Sequence, residues 1–300
     1  MIRAVTVTNL ETGYDLVLTL RSPETSQGFA VVSMSGLGPG QATVNTSEWV
    51  TIDGAHIDAT HLPKRTITIQ LQFVPTSYSE SVADIRRKSY LYFPIKKYVR
   101  LTFEHVDLRG NTKSYFIEGI IEKNEPDIWS EEEGCTLSIV CADPHFQDTE
   151  EIIENFDQVI DMFHFEFPDE ASGHPFPISE QTSFVDREVY NKSSIDIGAV
   201  FVLTARGPLS NPMIYNRTTN ERMALNYEMQ AGESIAIDTR VGHKTIRTRD
   251  GLNTNKIQYL MLDSKWIHLQ PGYNTIGWHC DSGASNLKMY YSVRPLYQGI

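Results

Sequence analysis

The sequence predicts a mainly-β protein built as two stacked-sheet domains with a single helix. Apolar residues recur at every second position in many short runs, the pattern of strands with one buried face. From Asn211 to Trp278, turn residues separate such runs every ten or so positions, which is the layout of an antiparallel sandwich. Three hundred residues exceed what one small core needs, so two domains are expected.

Taken in order, Val5 and Val7, then Tyr14, Leu16, Leu18 and Leu20, predict two opening strands around a turn at Glu11 to Gly13. The run Gly28 to Gly40 contains Gly36, Gly38 and Pro39, so it includes a flexible or tightly turned loop. Asp53-Gly54 is a turn signal. Arg65 to Phe73 is the clearest strand of the first half, with Ile67, Ile69, Leu71 and Phe73 on one face and Thr66, Thr68, Gln70 and Gln72 on the other. Ser79 to Phe93 predicts the helix. Ser79 is its expected N-cap, Val82, Ile85, Ser89 and Tyr92 share a face, and Pro94 prevents continuation. Val99 to His105 and Tyr115 to Ile121 read as strands joined by a turn at Asp107 to Asn111. An acidic loop from Glu125 to Glu133 surrounds Trp129, and Cys135 to Cys141 closes the first domain as a strand.

The break at Cys141-Ala142-Asp143-Pro144-His145-Phe146 places the boundary near residues 146 to 150, giving domains 1–147 and 148–300. Phe163, Phe165 and Phe167, then Phe176 to Ser179 and Ile195 to Ala205, read as strands of the second domain, with an exposed loop between Pro168 and Pro175. Met223, Leu225, Tyr227 and Met229 alternate as one strand. Gly232-Glu233 turns the chain into Ile235 and Ile237, Asp238 to Gly242 turns it into Ile246, and Leu287, Met289, Tyr291 and Val293 form the last clean strand.

Composition narrows the function. No apolar run approaches the ~20 residues that span a bilayer, so no membrane insertion is expected. The alternation begins straight after Met1-Ile2-Arg3, so no signal peptide is expected. Cys135 and Cys141 are about 20 Å apart on one extended strand, too far to bridge within it, and reduced, packed cysteines are expected. The net charge of −12 belongs to the middle of the chain: between Lys123 and Arg187 there are 17 acidic residues and no Lys or Arg. An acidic chain without a basic cluster argues against a dedicated nucleic-acid binder.

Catalytic signatures are not found. His56, Asp58 and His61 have no helical ligand spacing and no cysteine pair beside them, so they read as turn or surface residues rather than a metal site. His164 and His174 are equally unsupported. The carboxylates between Glu125 and Asp186 show no sign of two environments that would separate an acid from a base. There is no Gly-x-Ser-x-Gly, no phosphate loop and no Gly-x-Gly-x-x-Gly after a strand. No enzyme, cofactor or metal is expected.

Wording adds what periodicity cannot. Asn211-Pro212-x-Ile214-x-Asn216, Gly232-Glu233-x-Ile235-x-Ile237-Asp238-Thr239 and Ser264…Leu269-x-Pro271-Gly272-x-Asn274-x-Ile276 follow in that order, and the chain ends Tyr297-Gln298-Gly299-Ile300. Asp53-Gly54-Ala55 followed by Arg65-Thr66-Ile67-x-Ile69, and the Cys141 to Phe146 junction, belong to the same pattern. Together these stretches resemble the distal tail proteins (Dit) of long-tailed bacteriophages. The resemblance implies a tail-tube-like β-sandwich or split barrel with one helix, followed by a galectin-like β-sandwich similar to a carbohydrate-binding module. It implies a homohexameric ring at the virion tail tip, assembled in the host cytoplasm. One face would meet the tail tube (major tail) protein and the other the tail-associated lysin or tail-tip protein. Receptor-binding proteins would be held outside, and DNA would only pass through the lumen.

Two surfaces follow as candidates. Glu131, Glu132 and Glu133 are expected either to line the lumen and repel DNA or to pair with Arg86, Arg87 and Lys88 of a neighbouring subunit. The alternative function, a carbohydrate-binding receptor adhesin, would use exposed rings, with Trp266, Trp278 and Tyr290 as sugar-stacking candidates.

Overall fold

The computed structural model describes residues 2–19, 27–51, 53–107, 109–129, 132–156, 159–161, 179–181 and 186–300. It divides into two compact units, 1–149 with 296–300, and 150–295. Leu20, Phe163 to Phe167, the 168–175 loop and Phe176 to Ile178 fall outside the described residues, as do His164 and His174.

The first unit contains β1 (Ile2–Asn9), β2 (Asp15–Thr19), β3 (Phe29–Ser35), β4 (Thr43–Glu48), β5 (Ala55–His61) and β6 (Arg65–Phe73). Helix α1 (Val82–Tyr92), β7 (Tyr98–Val106), β8 (Thr112–Asp127), β9 (Gly134–Cys141) and β10 (Phe146–Asp148) complete its first pass. The main sheet runs β2-β1-β7-β8-β9-β6-β3, antiparallel at each pairing, and its two edges are not hydrogen-bonded to each other, so the barrel stays open. The alternation in the sequence is the cause. Ile67, Ile69 and Leu71 of β6 sit opposite Ile139, Leu137 and Cys135 of β9, and all six are buried. Gly119 is required where strands crowd, since a Cβ there would come within 2.8 Å of Cys141 Sγ and the Val140 carbonyl.

The helix covers this core with Ile85 and Ser89 fully buried and Val82 and Tyr92 packed beside them. Its N-cap is Ser81, two residues after the expected Ser79. Ser81 Oγ accepts from the Asp84 amide at 3.2 Å while the Ser81 amide donates to Asp84 Oδ2 at 3.1 Å, a reciprocal box that needs an acceptor three residues on. At the other end Asn124 Nδ2 donates to the carbonyls of Ser89, which also accepts the Phe93 amide, and of Phe93, which lies past the last helical hydrogen bond. Asn124 can do so because β8 extends to Asp127, paired with Gly134 of β9. The expected acidic loop from Glu125 is therefore strand at its start.

The second unit contains β11 (Ile152–Asn155), β12 (Val159–Asp161), β13 (Ser179–Gln181), β14 (Arg187–Asn191), β15 (Val200–Ala205), β16 (Leu209–Ser210) and β17 (Met213–Asn216). It continues with β18 (Glu221–Ala224), β19 (Glu228–Met229), β20 (Ser234–Asp238), β21 (Thr245–Thr248), β22 (Gly272–His279) and β23 (Leu287–Val293). Sheets β11-β23-β15-β20-β21 and β14-β22-β17-β18 supply buried rows, including Phe201, Leu203, Ile235, Ile237, Met289 and Tyr291 from the first and Ile214, Met223, Ile276 and Trp278 from the second. The run from Met223 to Met229 is two short strands rather than one. Leu225 donates its amide to the Pro212 carbonyl and Asn226 to the Tyr259 carbonyl, so the chain bends between them while Leu225 and Met229 stay buried. The run from Ile195 enters the sheet only at Val200, because Ile197 exchanges backbone bonds with Leu269 instead.

The second domain was expected to include the C-terminus, and there the structure differs. Strand β24 (Leu296–Tyr297) pairs with β10, and the Ile300 amide donates to the Leu37 carbonyl. Arg65, 7% exposed, explains the return. Its Nε donates to the Pro144 carbonyl, Nη1 to those of Gly36 and Gly38, and Nη2 to that of Gln298, all at 2.6–2.7 Å. The guanidinium also lies 4.8 Å from the centre of the Phe146 ring. Burial lowers its pKa from the ordinary value, and four carbonyl dipoles stand in for water around the charge.

Candidate assembly surfaces

The residues that carry the sequence pattern of the second unit hold its chain together. Asn216 is 1% exposed; its Nδ2 donates to the His268 carbonyl at 2.8 Å and meets Asn274 Oδ1 at 3.3 Å. Asn274 Nδ2 donates to the Gln270 carbonyl and its Oδ1 accepts from the Gln270 amide. Asn191 Nδ2 donates to the carbonyls of Leu269 and Ile195. These three amides fasten the extended segment before β22 to β14, β17 and β22, adding to its isolated backbone bonds with Ile197 and Arg222. A side-chain amide offers both donor and acceptor, so it can replace a backbone ladder. Gly272, with φ +89°, supplies the left-handed turn into β22.

The cationic triplet lies on α1, and each member has an acidic neighbour in its own chain. Arg86 Nη1 is 3.4 Å from Glu133 Oε2, and Lys88 Nζ contacts Glu80. Arg87 lies 3.7 Å from Asp84, with its side chain 81% exposed. The expected pairing of the 131–133 acids with the triplet is thus made within one subunit for Arg86 and Glu133. Glu131 is outside the described residues.

The three candidate rings have different environments. Trp278 is 3% exposed, on the inward row of β22 opposite Ile214, so neither face can meet a ligand. Trp266 is half-buried with Lys244 Nζ 5.6 Å from its ring centre, and the Tyr290 hydroxyl accepts from Arg249. A more accessible pair went unnoticed in the sequence: Tyr190 and Tyr273 face each other across β14 and β22 with centroids 4.8 Å apart, both at least half exposed. Their partnership depends on register, which no local pattern states. A polar cavity of about 440 Å³ is lined by Tyr215, Arg217, Arg222, Glu221, Asp263 and Lys265, and both its arginines are paired, Arg222 with Asp263 and Arg217 with Asp186 at 2.9 Å. His56, Asp58 and His61 lie along β5; Asp58 accepts from Ser47 Oγ at 3.1 Å, and the His56 ring stacks beside Trp49. Among the described residues no His, Cys, Asp or Glu group could hold a metal, and no helix is long and apolar enough to cross a membrane.

A further exposed feature is the hairpin of β4 and β5. Its strands pair only with each other, and of their residues only Ser47 is even half-buried.

Comparison with known proteins matches residues 192–294 to the family described as siphovirus-type tail component, C-terminal domain. Among solved structures the chain is similar to SPP1 Dit (gp 19.1), a protein described as a paradigm of the hub adsorption apparatus in phages infecting Gram-positive bacteria. The TM-score is 0.63 at 14% identity, covering 97% of this chain and 98% of that one. A weaker likeness, TM-score 0.49 at 14% identity over 98% of each chain, is to the phage P2 baseplate in its activated conformation with Ca. No curated relative matches the chain. The second unit thus carries the tail-component domain, and the whole chain has the fold of the SPP1 Dit protein. The resemblance read from the Asn211 to Ile276 motifs falls within the matched residues.

Proposed function

We propose that this siphophage tail component is the hub of the tail tip: six copies form a ring that joins the tail tube to the tail-tip or baseplate proteins. In this reading residues 1–147 are the tail-tube-like, ring-forming part. The second domain is a galectin-like sandwich facing outward, where receptor-binding proteins are anchored. The tail-associated lysin or tail-tip protein meets the face away from the tube, DNA traverses the lumen, and assembly takes place in the host cytoplasm. The observation that carries the reading is the likeness to a hub protein over 97% of the chain, covering both units rather than the second alone. A protein whose task is association needs self-complementary or head-to-tail surfaces rather than a cleft of convergent ionisable groups. The measurement that tests it is the mass of the full chain by sedimentation. A species of six subunits is expected, and a chain that stays monomeric at every concentration overturns the ring.

The adhesin reading has one observation in its favour, the exposed Tyr190 and Tyr273 rings. Glycan-array binding by the full chain that is lost in Tyr273→Ala would establish it. A blank array would dismiss it.

A further inference from the structure

We propose that the β4–β5 hairpin is an arm that packs on the outer side of α1 and the following turn in a second copy of this chain, giving a head-to-tail contact. The proposal rests on the hub reading and names the surfaces that would close its ring.

The hairpin is out of keeping with the rest of the unit. A two-stranded hairpin alone in water is marginal, because it has no second layer to bury a face against. Here the strand residues, Ser47 apart, are exposed, yet the sequence is strand-forming. The register sorts the side chains into unlike faces. Val44 pairs with Thr60, Thr46 with Ile57 and Glu48 with Ala55 on one side; His61, Asn45, Ala59, Ser47 and His56 share the other. Val44, Ile57 and, at the tip, Trp49 and Val50 are large apolar groups left in solvent. An apolar face on a two-stranded ribbon is the mark of a surface that another body covers.

Charge identifies that body. From Thr43 to His61 the chain carries Glu48, Asp53 and Asp58 and no Lys or Arg. From Val82 to Tyr98 it carries Arg86, Arg87, Lys88, Lys96 and Lys97 and one acid, Asp84, while Glu133, Glu80 and Glu11 of the same chain lie against Arg86, Lys88 and Lys97 and leave the side net basic. This second stretch also leaves Tyr90, Leu91, Ile95 and Tyr98 exposed. An acidic, apolar ribbon and a basic, apolar helix side complement each other in sign and in chemistry. Both are exposed in the isolated chain, so neither covers the other within one subunit. A contact between two different surfaces is heterologous, and repeated with a closing rotation it makes a ring.

The test uses two variants of the full chain that each spoil one surface. The arm variant is Trp49→Ser with Ile57→Ser; the helix variant is Arg87→Glu with Leu91→Ser. All four positions are exposed, and circular dichroism and Tm verify that the variants fold. Each alone is expected to lose the large species, with association weakened about tenfold or more. Mixed in equal amounts, they retain one intact arm and one intact helix side. The mixture is then expected to form a two-chain species that cannot grow, weakening as salt is raised. Variants that assemble like the parent overturn the arm contact and leave the ring standing, as does a mixture no more associated than either variant alone. A parent chain that never associates overturns both.

Discussion

The nine-stranded sheet and the β4–β5 hairpin are made of the same kind of sequence and meet opposite fates. In β6 and β9 alternate residues are buried to 0–7% exposure, because each strand has neighbours on both sides and a helix or facing strands above. In β5 the strand has one neighbour, and no residue is buried. β-propensity describes a side chain that fits a half-buried pleated surface; whether the burial occurs depends on a second layer supplied by distant sequence.

The largest effect that would break this contrast is expected in the sheet. Phe103→Ala removes a fully buried ring packed edge-on against Phe146 at 5.6 Å, and should cost about 3–5 kcal/mol in denaturant unfolding. Next comes Arg65→Met, which keeps the aliphatic stem but leaves four inward carbonyls without a donor. A loss of about 3 kcal/mol is expected, with the 296–300 strand exposing its amides to hydrogen exchange before the rest of the unit. Equal exchange across the unit would show that Arg65 is not what holds the C-terminal strand. Ser81→Ala opens the capping box and should cost about 1 kcal/mol.

Two measurements sharpen the contrast at its small end. Burial pushes the Cys135 and Cys141 thiols up to about 12, so both stay protonated in the folded chain. Ellman's reagent at pH 8 should label them only as the protein unfolds. The sign follows: an acid whose folded pKa is raised contributes stability below its unfolded pKa, and that contribution is lost as pH rises toward about 12. Rapid labelling without unfolding would refute the burial. Last, Ile57→Ser on the hairpin should change the unfolding free energy of the single chain by less than about 0.5 kcal/mol while weakening association. A loss as large as that of a core residue would mean that the hairpin is covered within its own subunit.

Much of the fold was legible because local chemistry and tertiary need coincide. The β6 alternation, the apolar stripe of Val82, Ile85, Ser89 and Tyr92, and the β23 row all read directly as buried faces. Ser79 failed as the cap because several serines precede the helix and only Ser81 has Asp84 at the right spacing. Trp278 failed as a ligand ring because aromatic content does not reveal which side of a strand faces the core. The role of Arg65 was hidden altogether: its partners are carbonyls, which every residue carries, brought together from positions as distant as Gly36 and Gln298.

From the sequence alone follow the mainly-β class, the strand faces, the helix and the ordered motifs shared with phage tail components, because period and turn chemistry act within a few residues. Only the tertiary structure decided that the C-terminus returns to the first unit, that the α1 cations pair within their own chain, and that one hairpin stands without cover. Those outcomes depend on contacts between residues far apart in sequence, whose free energy no local pattern records.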